Sequence, residues 1–447
     1  MIRHQRGSAF GTQQYPFCHP GLLDQIKNVT GITMVKVQLR NISDFALQNA
    51  TKLQNLLLSF NNLTEIGDNT FSGAINLENL NLAHNCISKI SSKAFVNTPN
   101  LKYLGLGFNK LEEIDAELFL PLKNLWNLSL YNNKIKYIAA TAFTKIPNLL
   151  VLYLNHNNLE SLELHIESRL SQLYVSYNKL KSLTLKSVKS GAMSGCVEAK
   201  SNQLSSINID PSLYVVQLYL SSNKIESLDS ILSHTKIFRL NLDGNLLRNL
   251  DGLNKLKRLT YLDLSSNNIT YQPDVFGSLQ QLNWLNLSNT SMTHFSFEWF
   301  GIQKNLFDLE LSRNLLKELD YKRFSIYFPN LDALTINNNQ FNCTFLEDMM
   351  TYWKNMTQIS IWDAKTVDPT PNVANIKCIN EEIKKEVYME ESKLFGKMFV
   401  MISCIGIFIF VGFLLVLFLM KKIRNKYCIR ISSNNQSCNE LMNSEFQ

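Results

Sequence analysis

Histidines, cysteines and aromatic side chains are the groups in this 447-residue chain with chemistry to offer, and their spacing decides which chemistry. The seven histidines (His4, His19, His84, His156, His165, His234 and His294) are scattered. No GxSxG, HExxH, phosphate-loop or paired-cysteine metal motif accompanies them. Catalysis, a bound metal and a cofactor are therefore not expected. The aromatics behave differently. Tyr103, Phe108, Trp126, Tyr131, Tyr153, Tyr174, Tyr177 and Tyr219 stand at positions that the surrounding pattern turns away from the core. Large rings with a polar tip are preferred anchors of protein interfaces. The chemistry expected of them is partner binding. Further along, Asp243, Asp263, Asp308, Glu310 and Asp332 make the same face acidic, with Arg239 and Arg313 among them.

The elements that must position these side chains follow from a repeat. Leu53, Leu56, Leu58, Asn61 and Leu63 set a template with apolar residues at positions 0, 3, 5 and 10 and Asn at position 8. The Asn recurs at 85, 109, 133, 157, 178, 202, 223, 245, 267, 314 and 339, with Arg40 and Thr290 expected in its place in two further units. About 14 units at 21- to 25-residue intervals predict an α/β leucine-rich-repeat solenoid over residues 32–342. Each x-Leu-x-Leu-x segment alternates in and out, so it reads as a short strand of a long, curved parallel sheet. The Asn falls where the chain bends, and its amide is expected to satisfy backbone groups that the bend leaves unpaired. Thr290 offers one hydroxyl instead and is expected to be a weak spot. Phe71, Phe95, Phe119, Phe143, Phe276, Phe300 and Phe324 follow their anchors by nine or ten residues and predict an apolar spine behind the sheet. The segment Lys186–Cys196 departs most from the template, so a local change of curvature is expected there without a domain break.

Both ends carry further signals. Residues 1–31 read as an incomplete N-terminal flank without an apolar leader, which suggests that the true beginning is missing. Cys343 and Cys378 are expected to form a disulfide over a C-terminal cap, residues 343–380, with an amphipathic helix from about Thr344 to Trp353. A linker, 381–397, leads to 398–420, which is 23 residues without a charge and long enough to span a bilayer as a single helix. Lys421, Lys422, Arg424 and Lys426 open a cytosolic tail, 421–447, that is too short for a folded signalling domain. Sequons begin at Asn28, Asn41, Asn49, Asn62, Asn127, Asn268, Asn286, Asn289, Asn342 and Asn355, all before the membrane segment. The reading is a type I single-pass plasma-membrane glycoprotein with its repeats outside. The tail beside the membrane supplies +3 of the net charge of +7, and the remaining +4 is spread over about 400 residues, so nucleic acid is not an expected partner.

The repeats, with LENLNLAHNCI and LTYLDLSSNNI among the best copies, resemble those of animal extracellular leucine-rich-repeat membrane proteins, Toll-like ectodomains included, over about residues 32–420. VSYNKLKSL (Val175–Leu183), VEAKSNQLSSI (Val197–Ile207) and LTINNNQFNCTFLEDM resemble the insect leucine-rich-repeat immune proteins more narrowly. That resemblance implies a role in innate defence through binding other proteins, without a coiled coil or a cysteine-rich N-terminal cap here. The expected partners are an extracellular protein or microbial ligand, with a co-receptor or a second copy for signalling, and the lipid bilayer. The alternative is adhesion or matrix organisation by contact between solenoids.

Overall fold

The computed structural model describes residues 17–18, 28–167, 169–188, 194–356, 360–361, 372–373, 376–379 and 420. The chain divides into a unit Met1–Cys378 and a unit Ile379–Gln447, and nearly all described residues belong to the first. The expected linker, membrane segment and tail lie outside the described residues, apart from Met420. Among the described residues no helix is long and apolar enough to cross a membrane.

The first unit is a leucine-rich-repeat solenoid built on a 15-stranded sheet whose strands follow in chain order. Its early strands are β1 (Gly31–Thr33), β2 (Asn55–Leu57), β3 (Asn79–Asn81), β4 (Tyr103–Gly105) and β5 (Asn127–Ser129). The middle strands are β6 (Val151–Tyr153), β7 (Gln172–Tyr174), β8 (Ser194–Glu198), β9 (Tyr214–Tyr219) and β10 (Arg239–Asn241). The last are β11 (Tyr261–Asp263), β12 (Trp284–Asn286), β13 (Asp308–Glu310), β14 (Ala333–Thr335) and β15 (Ser360–Ile361). Neighbouring strands pair parallel and in register, so equivalent repeat positions lie side by side across the sheet. β8 carries a register shift between Gly195 and Cys196, and the unit continues through it.

The template positions explain the packing. Leu80, Leu82, Leu104, Leu106, Leu128 and Leu130, at positions 3 and 5, are fully buried. Each such leucine contributes about 1.5–3 kcal/mol by leaving water. The anchor amide then ties adjacent coils together. Asn109 accepts from the Ile87 N–H of the preceding repeat at 2.9 Å, and its Nδ2 donates to the Leu82 and Leu106 carbonyls, each at 3.0 Å. The same three-way pattern recurs at Asn61, Asn133, Asn157 and Asn314. Thr290 offers a single hydroxyl, which donates to Leu287 O at 2.9 Å and accepts from the buried Tyr271 hydroxyl at 2.9 Å.

The first repeat lies in a different frame from the one expected on Arg40. Arg40 is exposed, whereas β1 aligns Gly31 with Asn55 and so places Val37 at the anchor position. Ile32, Met34 and Leu39 fill the core there, and the N–H groups of Val37 and Leu39 both reach Asn61 Oδ1. Both frames satisfy an apolar pattern, and burial selects the one three residues earlier.

Behind the sheet, Phe71, Phe95, Phe119 and Phe143 stack in single file with centroids 6.0, 6.3 and 6.1 Å apart. Where the repeats shorten, the return edge becomes a small parallel sheet of Ser161–Ile166, Ser182–Ser187 and Asn208–Ile209. After β14, helix α1 (Cys343–Met356) buries Leu346, Met349 and Trp353, and the Trp353 ring lies against Tyr321 and Phe324 of the last coil. Cys343 and Cys378 are bonded.

Candidate recognition surface

Positions 2, 4 and 6 of each repeat alternate with buried leucines and therefore face away from the core. Register turns them into rows. Tyr103 lies beside Asn127, Ser129 beside Tyr153, and Tyr153 beside Tyr174. The rings of Tyr153 and Tyr174 stack at 4.9 Å, and the hydroxyl of Tyr103 lies close enough to those of Tyr131 and Tyr153 to be coupled to them electrostatically. Burial, and then those two hydroxyls, hold the Tyr103 phenol above its ordinary range.

A second row stands at position 7. Lys36, Phe60, His84, Phe108, Asn132, His156 and Tyr177 all hold left-handed backbone, with φ between 52 and 59°. The geometry is forced: this N–H must reach the next repeat, as Phe108 does to Tyr131 O at 2.9 Å, while the chain turns off the sheet. A bulky side chain in that region costs about 1–2 kcal/mol, whereas Gly244 takes the same position freely. Stacking offsets part of this. Phe60, His84 and Phe108 form a ladder with centroids 4.1 and 3.9 Å apart, extended by Lys36 over Phe60 at one end and Tyr131 against Phe108 at the other. His156 and Tyr177 repeat the pair at 4.4 Å. Phe60, Phe108 and Tyr177 remain exposed.

Across β7 to β9 the face opens into a groove of about 450 Å³ bordered by Tyr174, Cys196, Glu198, Lys200 and Tyr219. Glu198 accepts from Ser176 Oγ at 3.1 Å and pairs with Lys200 at 3.5 Å, while the Lys200 ammonium sits 5.1 Å from the Tyr219 ring. Cys196 carries a free thiol whose pKa burial, reinforced by Glu198, pushes up to about 11. It is therefore a poor nucleophile at neutral pH. Beyond β10 the face changes character. Asp263 is buried between Ser265 and Asn241, and burial raises its carboxyl, as it does those of Asp308 and Glu310. Among the described residues no group of histidine, cysteine and carboxylate side chains could hold a metal ion.

The structure thus brings Tyr103, Tyr131, Tyr153 and Tyr174 into one field, carries Tyr219 to the groove, and places Phe108 and Tyr177 on the bend row beside it. Trp126 is separate: it precedes β5 and lies exposed at the strand-entry side. The roles of His84 and His156 as stacking partners on the bend row needed the coordinates. The stacked pair Tyr261 and Trp284, with Arg239 over Tyr261, was signalled only by register. Of the expected glycan acceptors, Asn28, Asn41, Asn62, Asn268 and Asn289 are exposed. Asn127 and Asn286 are half-buried on the sheet face, and Asn49 and Asn342 are half-buried elsewhere.

A model of the leucine rich repeat family matches residues 51–111, 99–159, 123–180 and 259–316. Osteomodulin of Bos taurus is 29% identical over 213 residues, 40% of this chain and 50% of that protein. Toll-like receptor 2 of Macaca fascicularis is 29% identical over 171 residues, 38% of this chain and 20% of that protein. The chain therefore spans half or less of these curated relatives. Among solved structures, the LRIM1/APL1C complex superposes with a TM-score of 0.58 at 18% identity, covering 93% of this chain and 71% of that one. The Toll–Spatzle complex of Drosophila gives 0.63 at 19% identity, covering 79% and 54%. At these identities the structural matches establish the fold. The chain is a leucine-rich-repeat protein that resembles insect immune leucine-rich-repeat proteins and Toll-like receptor ectodomains.

Proposed function

We propose that this protein is a non-enzymatic cell-surface recognition receptor or co-receptor that binds a protein or microbial ligand through the aromatic part of its sheet face. One observation carries this reading: five of the six repeats from Phe60 to Tyr177 hold a ring (Phe60, His84, Phe108, His156 and Tyr177, with Asn132 between the two groups) in left-handed backbone that favours glycine or asparagine, and stack them at the edge of the face. Solenoid folding does not require rings there, because Ser201, Ser222, Gly244 and Ser266 occupy the same position in later repeats. Placement at the plasma membrane, repeats outward, rests on the uncharged segment 398–420, the basic residues after it and the sequons before it. The complexes with partners found for similar folds, LRIM1 with APL1C and Toll with Spatzle, agree with a binding role.

Full-length protein expressed on cultured cells tests the placement. An N-glycosidase-sensitive mobility shift and labelling of intact cells by an antibody to the solenoid are expected; absence of both would remove the surface reading. Induction of the transcript by infection supports the receptor role, whereas aggregation of the expressing cells would favour adhesion between solenoids.

A further inference from the structure

Three adjacent strands, β4 to β6, form a field on the sheet face with no charged side chain at positions 2, 4 and 6. Three tyrosines frame it: Tyr103, Tyr131 and Tyr153. Two glycines shape it. A Cβ on Gly107 would sit 2.5 Å from Tyr131 Cε1, and one on Gly105 would sit 3.0 Å from the Tyr103 hydroxyl. Without those methyls, the tyrosine rings lie down against the strand instead of standing away from it. Within this frame three polar atoms are buried and lack a hydrogen-bond partner: Ser129 Oγ, Asn127 Oδ1 and Asn155 Oδ1. Ser129 is 5% exposed. Buried polar atoms are normally satisfied, so three orphans on neighbouring strands of one face, two of them carbonyl acceptors, mark a place where a ligand supplies the missing bonds.

Resting on the reading of this face as the recognition surface, we infer that the Tyr103–Tyr131–Tyr153 field is a subsite for a neutral saccharide. The orphans are acceptors, with the Ser129 hydroxyl able to act both ways, so the ligand must bring donors. The absence of carboxylates from the field gives no counter-charge to an ammonium or guanidinium group. A quaternary ammonium would suit three aromatic rings but carries no N–H for Asn127 or Asn155. A sugar ring combines hydroxyl donors with an apolar C–H face that packs on tyrosine. Asn127 also begins the sequon Asn127-Leu128-Ser129, so sugar could arrive covalently or free. Ser129, whose hydroxyl that modification requires, is locked into a strand and buried, and the site is assigned to a free saccharide.

The test uses the purified full-length chain in a detergent without a sugar headgroup, titrated with cellohexaose, chitohexaose and mannohexaose. A heparin hexasaccharide and tetramethylammonium serve as charged probes. Saturable binding of at least one neutral hexasaccharide is expected, weakened about tenfold by Ser129→Ala and by Gly107→Ala, with melting temperatures close to wild type. Three results would each overturn the subsite: no saturable neutral binding, equal binding to both variants, or preference for a charged probe. Peptide mapping that finds sugar attached at Asn127 would overturn the assignment to a free ligand. If no saccharide binds while Trp126→Ala/Tyr153→Ala still abolishes protein capture, the subsite fails and the recognition reading stands.

Discussion

From Phe60 to Tyr177 the aromatic residues stand on the outward side of the sheet and at its bend, while a single file of phenylalanines suffices behind it. From Tyr261 to Trp353 the weighting reverses. Phe295, Phe297, Trp299, Phe300, Phe324 and Phe328 crowd behind the sheet in mutual ring contact, and the face in front carries Asp263, Asp308 and Glu310. Both regions use the same leucines and the same asparagine ladder. The contrast teaches that the repeat fixes the coil, whereas ring placement separates the stretch proposed to bind from a stretch that closes the core near the end of the solenoid. Tyr261 and Trp284 are the face aromatics of the second region, and they are stacked beneath Arg239.

Substitutions can break or sharpen that comparison. The largest effect is expected from Phe324→Ala, which empties a fully buried site ringed by Phe295, Phe297, Phe328 and Trp353. A loss of about 3–5 kcal/mol is expected in denaturant unfolding, against less than about 1 kcal/mol for Phe108→Ala on the exposed edge. Similar losses would erase the distinction between core and face rings. Next comes the ladder. Asn109→Ala leaves one N–H and two carbonyls of the bend without their partner and is expected to cost about 2–4 kcal/mol. Thr290→Ala removes a hydroxyl with fewer bonds to the backbone and should cost roughly half as much or less. A Thr290→Ala loss as large as that of Asn109→Ala would show that threonine anchors as well as the amide.

A smaller effect tests the strained row. Phe108→Gly relieves the left-handed strain and loses the stack on His84, so its melting temperature should stay within about 3 °C of wild type. A large drop would mean that the ladder exists for stability. The smallest expected effect is on pH dependence. Burial raises the carboxyls of Asp263, Asp308 and Glu310, so the folded state holds their protons more tightly than the unfolded chain. The stability they contribute is present below the ordinary carboxylate range and is lost as pH rises through the raised values. The triple variant Asp263→Asn, Asp308→Asn, Glu310→Gln should melt about 1–3 °C above wild type at pH 7, with the difference closing toward pH 4. In the first region Glu112 is exposed and held low by its hydrogen bond to Lys136, so Glu112→Gln should show no such gain at pH 7.

Much of this architecture is legible in the sequence because positions 3, 5, 8 and 10 each accept few residue types. Aliphatic side chains, mostly leucine, must fill the coil, and a short side-chain amide is needed to pair one acceptor with two donors at the bend. The first repeat misleads because valine stands at its anchor, leaving two apolar frames that only the pairing of Gly31 with Asn55 separates. The aromatic face is legible as a list of residues but not as an arrangement. Nothing in Phe108 or His84 announces positive φ, and the significance of Gly105 and Gly107 depends on where the Tyr103 and Tyr131 rings lie. The orphan atoms at Ser129 and Asn155 are visible only once the neighbours are in place.

The central claim, that recognition belongs to the aromatic part of the face, is tested most directly by quantitative partner capture. Wild type, Trp126→Ala/Tyr153→Ala and Asp308→Asn/Glu310→Gln would be expressed at equal surface levels on intact cells and cross-linked. The account predicts at least about a tenfold loss of captured partner for the aromatic pair, retention for the acidic pair, and little change in melting temperature for either. Retained capture by the aromatic pair, or its loss in the acidic pair alone, would contradict it.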